Sequence, residues 1–271
     1  MKKPLCMLLA AAVFCLSACP FALAYSEDEI IGTVDTLIRG NTAPGSSISE
    51  TDLGDVTADA LRYVSGADVA IVNGGELQAN LQAGQRKWSD ISAVFDENRT
   101  LAVASVTVAQ FWDILEYGVS YVTLGADEKT DTELSAFDGF PQISGFLFQY
   151  DLSALIGKRI TYIEMADGNT LTRGDGDTRI TISATEYMLS GGYGYPAVAY
   201  ESLNLGLTDA LAEYMTDNTI TQPESSRIRT IGSYDKPLIS RVSVLLVGLV
   251  ACVICICVSR IRQSAKKENE M

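Results

Sequence analysis

Apolar and polar positions divide the chain into three parts. Residues 5–16 and 242–259 are uncharged and predominantly apolar, whereas between them apolar positions recur with the periods of secondary structure. Helical spacing at Leu53, Val56, Ala60 and Val64, at Val108, Phe111, Leu115 and Val119, and at Leu207, Leu211, Tyr214 and Met215 predicts three amphipathic helices. Segments 68–73, 100–106, 142–151, 158–165 and 179–185 are rich in β-branched or aromatic residues and predict strands. Asp167-Gly168 supplies a hairpin turn returning the fourth of these to residues 169–172. Short connections after Phe140 favour hairpins over crossovers, so the middle of the chain reads as a single α+β domain with a mixed β-sheet and packed helices. Within it, residues 50–78 predict a capped helix running into a buried strand. That strand ends on Asn73-Gly74-Gly75, a turn at which backbone amides approach a ligand closely.

The two ends bear on location. Lys2 and Lys3 precede the first apolar run, and Ala22-Leu23-Ala24 carries small residues at the spacing a signal peptidase reads, so residues 1–24 predict an export signal. Leu16-Ser17-Ala18-Cys19 is a rival cut that resembles a bacterial lipobox and would leave a lipidated Cys19. At 1.5 Å per residue, residues 242–259 are long enough as a helix to cross most of a bilayer. Arg260, Arg262, Lys266 and Lys267 follow, and positive charge beyond a spanning helix stays in the cytoplasm. The expected order is therefore signal peptide 1–24, extracellular domain 25–232, juxtamembrane linker 233–241, C-terminal transmembrane helix 242–259 and cytoplasmic tail 260–271. Such a protein is single-pass in the cell membrane.

Composition narrows the chemistry. Residues 25–240 carry 32 acidic and 13 basic side chains, a net charge of −19, which repels nucleic acid and anionic lipid. All six cysteines lie in the end segments, leaving the central domain without a disulfide or a thiolate metal ligand. Cys252-x-x-Cys255 falls inside the apolar run, where cysteine acts as a small apolar residue or a palmitoylation site. Asp167, Asp175 and Asp177 do not follow the spacing of a calcium loop and read as solvated turn carboxylates. The chain has no histidine. No metal or cofactor is assigned.

Several ordered motifs carry a family resemblance. Residues 50–78 are followed by Trp-Ser-Asp-Ile-Ser-Ala-Val-Phe at 88–95, the strand-and-helix stretch 101–120, Phe-Pro-Gln-Ile-Ser-Gly-Phe-Leu-Phe-Gln-Tyr-Asp at 140–151, Tyr-Met-Leu-Ser-Gly-Gly-Tyr-Gly-Tyr at 187–195, and Arg227-Ile228. In this order the domain resembles the C-terminal, substrate-recognising domain of 5'-nucleotidases, standing without the metallophosphatase domain. The resemblance implies a nucleoside pocket in which two aromatic rings sandwich the base, because a flat ring recognises a π-face without a fixed hydrogen-bond pattern. It implies ligand-binding roles for Asn73, Gly74, Gly75, Gln78, Glu97, Tyr187, Gly191, Gly192 and Tyr193. Several positions depart from the family pattern. Gln78 and Ser47 stand where arginines are expected, Glu97 falls at the first aromatic, and Tyr193 replaces the aspartate of a Gly-Gly-Asp-Gly loop. Loss of both arginines disfavours a phosphate relative to a neutral or cationic ligand.

Two functions follow from this resemblance. One is a non-catalytic, surface-displayed module binding a nucleoside, another small molecule or an envelope protein. The other is the recognition subunit of a hydrolase in nucleotide catabolism, working with a separate exported metallophosphatase. Without histidine the chain lacks the ligands on which the family's di-metal chemistry depends, which favours the first.

Overall fold

The computed structural model describes residues 25–40, 45–123, 131 and 133–232. The expected signal peptide, linker, transmembrane helix and tail lie outside them. Among the described residues no helix is long and apolar enough to cross a membrane.

Strands β2 (Val69–Asn73), β4 (Thr100–Thr107), β5 (Pro141–Ser144), β8 (Arg179–Thr185) and β9 (Glu201–Gly206) form a mixed sheet in the order β5-β2-β8-β4-β9. β2 runs parallel to β8, and the other pairings are antiparallel. A second sheet places β6 (Phe146–Asp151) between β7 (Ile160–Met165) and β10 (Ile228–Ile231), with β10 parallel to β6. β1 (Ile30–Val34) and β3 (Gly84–Lys87) make a separate antiparallel pair.

Both faces of the central sheet are covered, and for this reason every residue of β2 is buried. Val69 and Ile71 point into a core shared with Phe111 and Leu115 of α3 (Val108–Gly118) and with the second sheet. Ala70 and Val72 point the other way, towards α1 (Asp52–Ser65) and α5 (Leu207–Asp217). The strand period of two thus serves two hydrophobic layers. The short helices α2 (Trp88–Ser92) and α4 (Glu186–Leu189) complete the fold.

Local signals explain the long helices. Thr51 caps α1 by accepting the Gly54 N–H at 3.2 Å, and Gly66 ends it at φ +64° with its N–H on the Arg62 carbonyl. α3 opens with a capping box in which Thr107 and Gln110 exchange side-chain-to-backbone hydrogen bonds. The expected strand 142–151 is two strands. Gly145 breaks it at φ +87°, where a side chain would collide with the Asp68 carbonyl, and its halves pair in different sheets. The Asp167-Gly168 turn forms as expected, although its return segment makes one bridge, Glu164 to Thr170.

Buried polar groups lock the layers together. Gln142 of β5 is fully buried and accepts the Thr51 N–H while donating to the carbonyls of Ser46 and Ser49, which fixes the segment entering α1. Glu116 of α3 accepts the backbone N–H groups of Arg159 and Ile160. Arg227 grips Asp59 with two 2.8 Å hydrogen bonds and donates to the Ile143 carbonyl, tying β10 to α1 and β5.

Candidate functional site

The end of β2 and the turns beside it form the candidate site. Asn73 is fully buried at the end of β2, and Gly74 to Glu76 form a single 3-10 turn. The glycines are required by close packing rather than by a left-handed backbone. A Cβ on Gly74 would lie 1.8 Å from the Ser46 carbonyl oxygen, and one on Gly75 would lie 2.4 Å from the Asp138 Cβ. Their N–H groups donate at 2.8 Å to the carbonyls of Phe140 and Asp138. The turn is therefore fastened to the segment before β5.

Gln78 folds back, its Nε2 donating to the Gly75 carbonyl at 2.7 Å, while its backbone N–H bonds to the Val94 carbonyl. With the Leu77–Phe95 bridge, this lays residues 94–99 alongside the turn. Ser47, at an expected arginine position, donates its hydroxyl to Asp138 at 3.0 Å.

Two residues absent from the expected set complete the site. Glu76 is almost wholly buried, and its Oε2 accepts from Arg99 Nε at 2.9 Å. The Arg99 guanidinium also reaches Glu97 at 3.3 Å and lies over the Tyr187 ring, 4.0 Å from its centroid. Burial pushes the Glu76 carboxyl above its usual range, and Arg99 opposes that shift. The Asn73 side chain, buried beside it, opposes the shift as well. The one local signal for this pair is an acid directly after the glycine turn, and which cation meets it is decided by the fold.

Tyr187 projects from α4, partly exposed, with Tyr193 meeting it edge-on at 5.0 Å and 87°. The Gly191–Gly194 loop makes this contact possible. Gly191 adopts φ +103°, and a Cβ on Gly192 would press within 2.5 Å of the Tyr187 ring. Tyr193 itself takes φ +53°, a left-handed conformation costly for a residue with a side chain, and its carbonyl accepts the Tyr117 hydroxyl at 2.8 Å. Burial, reinforced by Glu76 and Asp138, pushes the Tyr193 phenol to about 12. Tyr195 is buried, and its hydroxyl donates to the Gly139 carbonyl.

The fold thus brings Asn73, Gly74, Gly75, Gln78, Glu97, Tyr187, Gly191, Gly192 and Tyr193 to one end of the central sheet, with Glu76 and Arg99 between the turn and the tyrosines. Tyr187 offers an aromatic face, and the cation upon it is already shared by two carboxylates. Such an arrangement suits a flat ring better than an anion. Among the described residues no three His, Cys, Asp or Glu side chains are placed to hold a metal ion.

A mixed sheet with α1 and α5 on one face and α3 and the second sheet on the other, ending in a glycine turn beside a tyrosine-glycine loop, is the fold found at the C-terminus of 5'-nucleotidases. Residues 30–200 match the family described as 5'-nucleotidase, C-terminal domain, and the chain belongs to that family. It is 27% identical over 175 residues to the trifunctional nucleotide phosphoesterase protein YfkN of Bacillus subtilis, covering 62% of this chain and 11% of that protein. It is 29% identical over 177 residues to a 5'-nucleotidase of Vibrio parahaemolyticus, covering 63% of this chain and 27% of that one. Among solved structures, a 5'-nucleotidase precursor from Thermus thermophilus shares the fold with a TM-score of 0.64 at 19% identity, covering 75% of this chain and 39% of that one. A 5'-nucleotidase described as putative, from Staphylococcus aureus and in complex with alpha-ketoglutarate, shares it at 0.61 and 17%, covering 75% and 41%. The chain therefore spans less than half of each of these relatives.

Proposed function

We propose that this chain is a membrane-anchored, outward-facing 5'-nucleotidase C-terminal-like domain that binds a flat, uncharged or cationic ligand of nucleoside type without catalysing its hydrolysis. The observation that carries this reading is the Glu76–Arg99–Tyr187 stack. Arg99 supplies a cation where the family arginines are missing, but Glu76 and Glu97 already engage it, and Asp138 adds negative charge nearby. A phosphate entering here meets a net acidic surround. A neutral base exchanges one π-face contact for another by replacing the guanidinium on Tyr187. The absence of histidine from the sequence supports the non-catalytic part of the reading, and the apolar run at 242–259 with its basic flank supports the anchoring.

Calorimetry with adenosine and AMP side by side tests the ligand. Adenosine binds the more tightly, and Tyr187→Ala weakens it by about 1–3 kcal/mol, the range for one lost base–aromatic stack. Tighter binding of AMP overturns the reading, and binding of neither ligand transfers the role to a protein partner. The alternative, a recognition subunit completed by a separate metallophosphatase, rests on the small share of the Vibrio 5'-nucleotidase that the chain spans. Its mark is phosphate release from AMP by the mixture that exceeds release by the phosphatase alone.

A further inference from the structure

We propose that the loop between β6 and β7, together with the end of β10, rests on the outer leaflet of the bilayer and holds the domain against the membrane. This rests on the anchored topology proposed above and adds an orientation that the topology alone does not supply.

The loop runs Leu152-Ser153-Ala154-Leu155-Ile156-Gly157-Lys158, and its two adjacent aliphatic side chains are 76% and 66% exposed, at Leu155 and Ile156. Among the described residues nothing packs over either side chain. The turn is closed by its own backbone, the Lys158 N–H donating to the Leu155 carbonyl, and neither side chain is needed to form it. A loop tip of this kind is normally polar. An open cavity of about 580 Å³ is lined by Ile156, Tyr121, Leu134 and Pro196, with Asp113 and Glu116 on its α3 wall, and Leu134 is largely and Tyr121 about half exposed. Ile231, at the end of β10, is exposed as well. Exposed apolar side chains thus gather around the β6–β7 loop, from the cavity on one side to the end of β10 on the other.

The chain leaves the domain beside the same loop. The Ile231 carbonyl accepts the Leu152 N–H at 2.9 Å, and Gly232 packs so closely on Asp151 and Ser153 that a side chain there would overlap them. Residues 233–241 separate this point from the apolar run, a tether of at most about 35 Å when fully extended. The surface nearest the tether is the one carrying this aliphatic exposure, with a tyrosine beside it, the composition of a membrane-interface contact. The remainder of the domain is strongly acidic, so the contact is apolar and suits a zwitterionic surface rather than an anionic one.

The test uses the full chain reconstituted in phosphatidylcholine vesicles, with and without lipids brominated on their acyl chains. Leu155→Trp and Ile156→Trp are read separately, with Ile30→Trp as the control. Ile30 is exposed on β1, which packs with the α1 and α5 layer on the other face of the central sheet. Emission of the native Trp88 and Trp112 is subtracted using the unsubstituted chain. Protein floating with the vesicles after an alkaline wash, with the added tryptophan blue-shifted and losing most of its emission to bromolipid at 155 or 156 but not at 30, supports the proposal. Flotation without quenching at either position overturns it while leaving the anchored topology intact. A blue shift without quenching also overturns it, because the loop is then covered by protein, such as residues 124–130 or a second copy. Failure to float overturns the anchored topology and the proposal with it.

Discussion

Replacing Arg99 with methionine keeps the length and much of the packing of the side chain but removes the charge from Glu76, which is only 1% exposed. The cost has two parts. Loss of the guanidinium from the Tyr187 face removes a partly exposed cation–π contact of about 1 kcal/mol. The larger part is an unpaired buried carboxylate, and it has a ceiling, since Glu76 can take up a proton instead. Its ordinary pKa is 4.5. Keeping such a group neutral at pH 7 costs about 3.4 kcal/mol, and at pH 5 about 0.7 kcal/mol, at about 1.36 kcal/mol per unit. In the wild type, burial already raises this pKa against the pull of Arg99, so part of that cost is present before the substitution and these figures are upper bounds. The sign is fixed: the variant's folded state binds a proton that its unfolded chain has released, so its deficit grows as pH rises above about 4.5. Urea unfolding of wild type and Arg99→Met at pH 5, 6 and 7.5 measures this, with an expected loss of about 1–2 kcal/mol at pH 5 rising to about 3–4 kcal/mol at pH 7.5. Combining Arg99→Met with Glu76→Gln removes the pH dependence. A deficit that stays constant across the series would show that the charge on Glu76 is not what Arg99 holds in place.

Two further outcomes follow from the packing and electrostatics. Asp55 sits among Glu50, Asp59 and Arg227, and burial pushes its carboxyl to about 9, with Arg227 opposing the shift and Glu50 and Asp59 adding to it. The native state therefore binds more protons than the unfolded chain between about pH 4 and 9, and this group withdraws stability as pH rises through that window. Asp55→Asn should melt higher than wild type by a margin that widens from pH 5 to 9, and parallel melting profiles would refute the protonated state. Gly74→Ala places a methyl against the Ser46 backbone and should cost about 3 kcal/mol in chemical unfolding, the upper end for overpacking. Gly174→Ala, whose nearest neighbour lies at 3.4 Å, should stay within about 0.5 kcal/mol of wild type, and equal losses in the two variants would remove the steric explanation.

Much of the architecture was legible because its signals are local. The 3.6 period at 53–64, 108–119 and 207–215 marked α1, α3 and α5, the hydroxyls of Thr51 and Thr107 and the left-handed Gly66 set helix ends within a turn of chain, and β8 coincides with the expected strand 179–185. The ordered motifs identified the family and so predicted that the Asn-Gly-Gly turn and the tyrosine-glycine loop belong together. The short strands β1, β3 and β10 went unread because each is weak alone and is stabilised by a partner distant in sequence.

What the sequence determined by itself was periodicity, capping, charge balance and the identity of the groups available at each turn. Tertiary structure decided which of those groups meet. Gly145 reads locally as an irregularity in one strand, but only the approach of Asp68 and Arg62 makes it a break between two sheets. Gly74 and Gly75 read as a turn whose amides approach a ligand, yet their N–H groups bond the Phe140 and Asp138 carbonyls, and Ser46 and Asp138 leave no room for a Cβ. No local pattern singles out Arg99, which becomes a site residue only because β2 and β8 deliver Glu76 and Tyr187 to either side of it. Contacts between residues 23 and 88 positions apart depend on the register and crossing of whole elements, and a pattern confined to one element cannot encode them.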